Sequence, residues 1–153
     1  MATFHFALIT PERTAFDGEV NSVSLRSAGG DIGFLAGHVP YIGAVRVSDC
    51  EVVPEDQGTV HLAVHGGFIE VDPDGRVTLL ADIVETAEEI DVAQAQADRD
   101  AAAPSAGAAE PGTEAEAEET LRWAQVRLDV AGVGGGGTTG SGPAGGASGT
   151  VPR

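Results

Sequence analysis

Apolar and polar residues alternate along most of the first 82 residues. At the start of the chain, Phe4, Phe6 and Leu8 share one face of an extended segment, and His5 lies on the other. Further runs of strand-forming residues cover 14–16, 20–26, 42–47, 51–53, 59–65, 68–71 and 77–81. Many short strands at such spacing are typical of an antiparallel β-sandwich, which we expect to span residues 1–85.

Turn-forming residues lie between these runs. We predict that they separate the strands at Asp17-Gly18, Ala28-Gly29-Gly30, Asp56-Gln57-Gly58, Gly66-Gly67 and Asp72-Pro73-Asp74-Gly75. The stretch GDIGFLAGHVP, residues 30–40, is interpreted as a short apolar strand between glycine-rich turns, with Pro40 ending it.

Beyond Thr86 the apolar period changes to a helical one. Ile90, Ala93, Ala97 and Ala101 fall on one face of a predicted helix, which Pro104 should end. After an extended loop at about 103–113, a capping pair at Thr113 and Glu116 predicts a second helix. That helix should place these residues on one face: Ala117, Leu121, Ala124 and Leu128.

The expected architecture is therefore mainly β with α. An antiparallel two-helix hairpin at 86–131 follows the sandwich, and residues 132–153 form a Gly-rich tail. Ten glycines and almost no apolar bulk in the tail predict disorder, because such a segment cannot offset its ordering entropy.

Charge excludes several kinds of partner. The chain carries 24 carboxylates against eight arginines and no lysine, for a net charge of −16. Such a surface repels phosphate backbones and anionic headgroups, so we expect no nucleic-acid binding and no direct membrane binding. No apolar run approaches the roughly 20 residues that span a bilayer, and no signal peptide is expected.

The sequence offers little for catalysis. No spacing of the four histidines and the single cysteine, Cys50, suits a metal site, and the nucleophile-elbow and phosphate-loop motifs are absent. Cys50 is interpreted as a small buried or edge residue. Asp31 and His38 could form an acid–histidine pair, but turn and packing roles are the stronger interpretation. We expect no catalytic residue, metal ligand or cofactor.

Four stretches together carry a resemblance to a known family. They are LITPERTAFDGEV (8–20), GDIGFLAGHVP (30–40), HGGFIEVDPDGRVTLLAD (65–82) and AEEID (87–91). In this order, and followed by a helical hairpin, they resemble the epsilon subunit of the F-type rotary, proton-translocating ATP synthase. The resemblance implies a non-catalytic central-stalk subunit at the cytoplasmic face of the bacterial membrane, held there through the complex alone.

The same resemblance implies the partners. The sandwich would bind the gamma subunit and stand on the ring of proteolipid subunits, coupling proton flow to ATP synthesis, and the hairpin could inhibit ATP hydrolysis. Residues carried over for the ring are Asp31, Ile32 and Gly33. His38 and Pro40 would contact gamma, and Arg122 and Arg127 could contact the catalytic beta subunit.

ATP binding is not expected. Some members of the resembled family bind ATP through an Ile-Asp-x-x-Arg-Ala pattern, whereas this chain has Gln94 at the arginine position. A nucleotide, if bound, would use Asp91, Arg99, Arg122 and Arg127. Two alternatives to a rotor subunit remain open: a free-standing β-sandwich interaction module and a nucleotide-sensing module.

Overall fold

The computed structural model describes residues 2–107 and 114–139, with the side chains of 103–107 and 133–139 left out. The chain divides into two compact units, Met1–Glu85 and Thr86–Arg153. Each unit is described by itself. In the described part of the chain, no helix is both long enough and apolar enough to cross a membrane.

Seven strands build the first unit. They are β1 (Phe4–Ile9), β2 (Thr14–Ser27), β3 (Gly30–Phe34), β4 (Tyr41–Pro54), β5 (Val60–Val71), β6 (Val77–Ala81) and β7 (Val84–Thr86). The strand order is β1-β6-β5-β4-β2-β3, and β1 also pairs with β2, so five strands close on themselves. The β1–β6 pair is parallel, while the others with a described register are antiparallel. The predicted β-sandwich is thus confirmed.

The core of this unit follows the alternation in the sequence. Phe6, Leu8, Phe34 and Leu79 have no exposed surface, and they pack with the inward residues of the neighbouring strands. Because successive side chains in a strand point to opposite faces, one apolar residue in two is enough to fill this interior. Cys50 lies in the core, which confirms its prediction as a buried residue.

Two of the predicted turns are wrong. Asp17-Gly18 lies inside β2, where both residues pair with β1, and Gly66-Gly67 lies inside β5. Gly66 and Gly67 have φ values of 83° and 137°, yet Gly67 still pairs with strands on both sides. Pairing with neighbouring strands therefore overrides the local turn preference of these dipeptides.

Other turn predictions hold. The chain reverses at Asp72–Gly75, where Asp72 N–H donates to the Arg76 carbonyl and Gly75 N–H to the Asp72 carbonyl. Gly75 has a φ of 87°, the conformation for which glycine is favoured. The short strand predicted within residues 30–40 is β3.

The second unit holds two helices, α1 (Val92–Gly107) and α2 (Glu114–Thr139). Asp91 caps α1, because its carboxylate accepts the Gln94 N–H at 3.0 Å. The prediction that Pro104 ends the first helix is wrong, since α1 continues to Gly107. A proline so near the end removes only one late hydrogen bond, which the last turn tolerates.

The predicted limits of the second helix also change. α2 runs to Thr139, so the first part of the predicted disordered tail is helical. Each glycine disfavours a helix by about 1 kcal/mol relative to alanine, so helix propensity does not explain this extension. The cap at Thr113, residues 108–113 of the predicted loop and residues 140–153 of the tail lie outside the described residues.

The buried face of α1 was predicted in the wrong place. Ile90, just before α1, is buried as predicted, but Ala93, Ala97 and Ala101 are exposed. Ala95 and Ala102 are buried instead. Alanine occurs on every side of this helix, so periodicity alone cannot select the packed face. On α2, Ala124 is buried as predicted.

Candidate docking surface

The turn between β2 and β3 presents Asp31 to solvent. Ser27 Oγ accepts the Gly29 N–H at 3.1 Å and donates to the Gly30 carbonyl at 2.9 Å, and Gly30 has a φ of 126°. The Asp31 side chain is 80% exposed and pairs across the strands with Arg26, Nε to Oδ1 at 3.2 Å. A carboxylate with two oxygens can accept a second cation from a partner in this position.

The other two residues predicted for the proteolipid ring differ in exposure. Ile32 is half-buried against the core, while Gly33 is exposed. Only Asp31 and Gly33 of the three therefore face outward, and Ile32 anchors the strand beneath them.

A second exposed element follows β3. The His38 N–H donates to the Leu35 carbonyl at 3.2 Å and Gly37 has a φ of 85°, which together form a turn of type II geometry. The turn exposes Leu35 by 64% and Val39 by 70%. Pro40 is also exposed.

His38 supports this turn from within. Its ring lies 5.0 Å from the Phe34 ring and 5.9 Å from the Tyr41 ring, between centroids. Its Nδ1 lies 2.7 Å from the Val39 carbonyl, which can only accept, so Nδ1 carries the proton. Asp31 pairs with Arg26, whereas His38 bonds the Val39 carbonyl. These contacts therefore do not form an acid–histidine pair.

An apolar face covers the outside of the sheet beside the turn. Phe68 on β5 pairs in register with Leu80 on β6, and they are 59% and 55% exposed. Ile42 on β4 lies diagonally from Phe68 on the same face and is 70% exposed. We call Ile42, Phe68 and Leu80 the apolar face. Monomeric proteins rarely leave large contiguous apolar surface open to water, so this face suits a protein partner.

Sequence reasoning missed the apolar face, although a signal for it existed. Phe68-Ile69 and Leu79-Leu80 are adjacent apolar pairs within strands. Since neighbours in a strand point to opposite faces, one member of each pair must leave the core. Ile69 and Leu79 are buried, which turns Phe68 and Leu80 outward.

The hairpin residues considered for ATP do not converge as free cations. Arg99 pairs with the adjacent Asp100 at 3.2 Å, and Arg127 pairs with Asp98 at 3.3 Å. Arg122 is exposed and pairs with none of the described carboxylates. Asp91 is engaged as the helix cap, as described above.

A cleft of about 340 Å³ lies between α1 and α2. It is lined by Asp98, Ala101, Ala102, Ala117, Thr120, Trp123 and Ala124. Asp98 is the charged group of this lining, and its carboxylate also accepts the Gln94 amide at 2.8 Å. These lining residues include no cationic side chain, so the cleft offers a nucleotide's phosphate groups no charge-assisted bond.

Titratable groups of the sandwich form local pairs. His5 bonds Asp17 at 2.6 Å, and His61 bonds Asp49 at 3.0 Å. Burial, followed by the charges of the neighbouring carboxylates, raises the pKa of the Cys50 thiol, which keeps it protonated and unreactive. Among the described residues, no three His, Cys, Asp or Glu side chains are arranged to hold a metal ion.

A closed β-sandwich with an exposed apolar face, followed in the chain by a helical hairpin, indicates a subunit that docks onto other proteins. The comparisons agree, because residues 3–87 match the family model of the ATP synthase delta/epsilon chain β-sandwich domain. The chain belongs to the family of ATP synthase epsilon chains, which are non-catalytic subunits of that complex.

Relatives support this assignment over most of the chain. The Priestia megaterium ATP synthase epsilon chain is 42% identical over 96 residues, covering 63% of this chain and 70% of its own length. The Bordetella avium epsilon chain is 36% identical over 133 residues, covering 87% and 83%.

Solved structures share the fold. A chain of the Euglena gracilis mitochondrial ATP synthase, in an OSCP/F1/c-ring assembly, aligns with a TM-score of 0.72 at 21% identity, covering 86% of this chain and 82% of its own. A chain of the Tetrahymena thermophila mitochondrial central stalk/c-ring structure gives 0.58 at 12%, covering 85% and 97%.

Proposed function

We propose that this subunit links the gamma subunit to the proteolipid ring and so couples proton flow to ATP synthesis. The observation that carries the proposal is the apolar face, which lies on rigid strands beside an exposed apolar turn. Rigid strands transmit torque without deforming. Because the strands are already ordered, little conformational entropy is lost when a partner buries their exposed apolar side chains.

The two partners are assigned to different parts of the surface. Gamma would cover the apolar face and the turn that carries His38 and Pro40, because these are apolar or aromatic. The ring would meet Asp31 and Gly33 at the β2–β3 turn, where a carboxylate can pair with a cation in a polar loop. Attachment through these partners would hold the subunit at the cytoplasmic face of the bacterial membrane.

The apolar face gives the direct test. Replacing Phe68 and Leu80 by serine should weaken binding of gamma about tenfold or more, since buried aromatic and aliphatic anchors dominate such interfaces. Co-purification of the subunit with gamma and titration of the purified pair would measure the loss. Because both side chains are exposed in the free subunit, its unfolding midpoint should change little.

Val92→Ser is the matched control. Val92 is 43% exposed and lies on α1, outside the apolar face. The control should bind gamma normally. Equal binding by the Phe68/Leu80 variant and the Val92 variant would overturn the assignment of this face.

The hairpin is proposed to restrain ATP hydrolysis by the assembled complex. Arg122 supports this, because it leaves an exposed cation on α2 for a carboxylate of the beta subunit. Arg127 is already held by Asp98 and is less available. Deleting residues 86–153 should raise hydrolysis by the reconstituted complex. Unchanged hydrolysis would remove the regulatory role while leaving the docking role intact.

A further inference from the structure

One ion pair joins the two helices of the hairpin from the inside. Arg127 on α2 places Nη1 3.3 Å from Oδ2 of Asp98 on α1. The Arg127 side chain is only 11% exposed, whereas that of Asp98 is 41% exposed. A guanidinium so deeply placed must keep its counter-charge, because an unpaired buried charge is strongly unfavourable.

Neighbouring groups fix both members of this pair. The Arg127 guanidinium carbon lies 5.8 Å from the centre of the Trp123 ring, one turn earlier on α2, at cation–π range. On α1, the other oxygen of Asp98 accepts the Gln94 side-chain amide at 2.8 Å. The carboxylate and the guanidinium are therefore oriented before they meet, which reduces the entropy lost in pairing.

The rest of this part of the seam contributes little packing. The cleft described above lies beside Asp98 and Trp123, and four alanines line it. Alanine buries little apolar area, and the open space leaves the lining without contacts on one side. In this part of the seam the apolar packing comes mainly from alanine, and the charged cluster adds to it.

We propose that Asp98, Arg127 and Trp123 form a charge latch that holds α1 against α2, and that loss of this latch releases the hairpin. The latch belongs to the hairpin itself and does not depend on the proposed docking of the sandwich. It also gives Arg127 a role within the chain that differs from a partner or nucleotide contact.

Trp123 is the single tryptophan of the chain, so its fluorescence reports on the hairpin alone. In the full-length protein, Asp98→Asn should lower the midpoint of the thermal Trp123 transition by roughly 5 °C. Asparagine keeps an oxygen for Gln94 and removes only the charge. Arg122→Ala, an exposed change on the same helix, should leave the midpoint within error of the parent.

A double-mutant cycle decides between a latch and independent effects. Arg127→Gln should cost more than Asp98→Asn, because it also removes the contact with Trp123. With Arg127→Gln in place, Asp98→Asn should cause little further shift, since its partner is already gone. Acrylamide quenching of Trp123 below the transition should rise in both single variants. Additive shifts, or an Asp98→Asn midpoint equal to that of Arg122→Ala, would overturn the latch.

Discussion

Gly67 and Leu80 approach each other so closely that a Cβ at Gly67 would overlap the Leu80 carbonyl oxygen. The same Cβ would lie 2.8 Å from Cα of Ala81, and Gly67 has a φ of 137°. Position 67 thus excludes side chains for two independent reasons, contact and backbone conformation.

Gly67→Ala should destabilise the sandwich by roughly 3 kcal/mol or more, from backbone strain and overpacking together. Urea unfolding would measure the change. Gly58→Ala is the matched control, because no atom lies within 4 Å of its Cβ position and its φ is ordinary. Similar stability for the two variants would contradict this account.

This glycine also shows where sequence reasoning fails. Gly66-Gly67 predicts a turn by composition, and only the strands on either side reveal that β5 continues through it. By contrast, the turn at Asp72–Gly75 needs no distant partner, because the Asp72 carboxylate bonds the N–H groups of Asp74 and Arg76. Local chemistry determines the second case and tertiary pairing the first.

The candidate functional residues also divide into those that depend on local sequence and those that depend on distant contacts. Asp31 could be singled out from its place in a glycine-flanked stretch, because its exposure depends on a local turn. The burial of Arg127 could not, since it requires Asp98 on another helix. In an alanine-rich helix every face looks alike in sequence, so the packed face of α1 had to come from the structure.

Ser48 provides a test of buried polarity. Ser48 is 6% exposed, and its Oγ has no hydrogen-bond partner among the described residues. Ser48→Ala should be neutral or stabilising by about 1 kcal/mol, because an unsatisfied hydroxyl is removed from the interior.

Ser27 is the matched comparison for this prediction. It is equally buried at 6%, but its Oγ makes two hydrogen bonds in the β2–β3 turn. Ser27→Ala should therefore destabilise the unit by about 1 kcal/mol. Chemical denaturation of both variants would test the contrast, and equal destabilisation would argue against it.

Cys50 predicts a loss of stability at alkaline pH. The unfolded thiol loses its proton near the usual pKa of 9.0, whereas burial raises the pKa in the folded state. Above that pH the unfolded state binds fewer protons than the folded state, so the free energy of unfolding falls as pH rises. The limiting slope is about 1.4 kcal/mol per pH unit.

Urea titrations from about pH 8 to pH 10 would measure this slope. Cys50→Ala should remove the component due to the thiol while leaving other alkaline titrations in place. A parent and a variant with identical pH profiles would show that Cys50 ionises equally in both states.

The exposed carboxylate at the β2–β3 turn predicts a modest electrostatic effect. Asp31→Ala should weaken binding to the proteolipid ring by up to about fivefold, because an exposed ion pair contributes under ~1 kcal/mol. Binding to the isolated ring and ATP-driven proton pumping would both be measured. Asp56→Ala, at another exposed turn, should change neither, and an unaffected Asp31 variant would remove the contact.

ATP should bind weakly or not at all. Gln94 stands where arginine is expected, and its amide is bonded to Asp98 within the cleft. Glutamine at this position supplies no charge-assisted bond to a phosphate group. Calorimetric titration of the full chain with ATP would decide the question, and micromolar affinity would contradict this prediction.

The parallel pairing of β1 with β6 has a consequence for synthesis on the ribosome. Phe6 pairs with Val77, so one edge of β1 stays without its partner strand until nearly the whole unit has been translated. An early hairpin of β1 with β2 leaves that edge open, and unpaired edges attract other chains. Nascent chains in which residues 77–81 have not yet left the ribosome should therefore be the ones that chaperones retain.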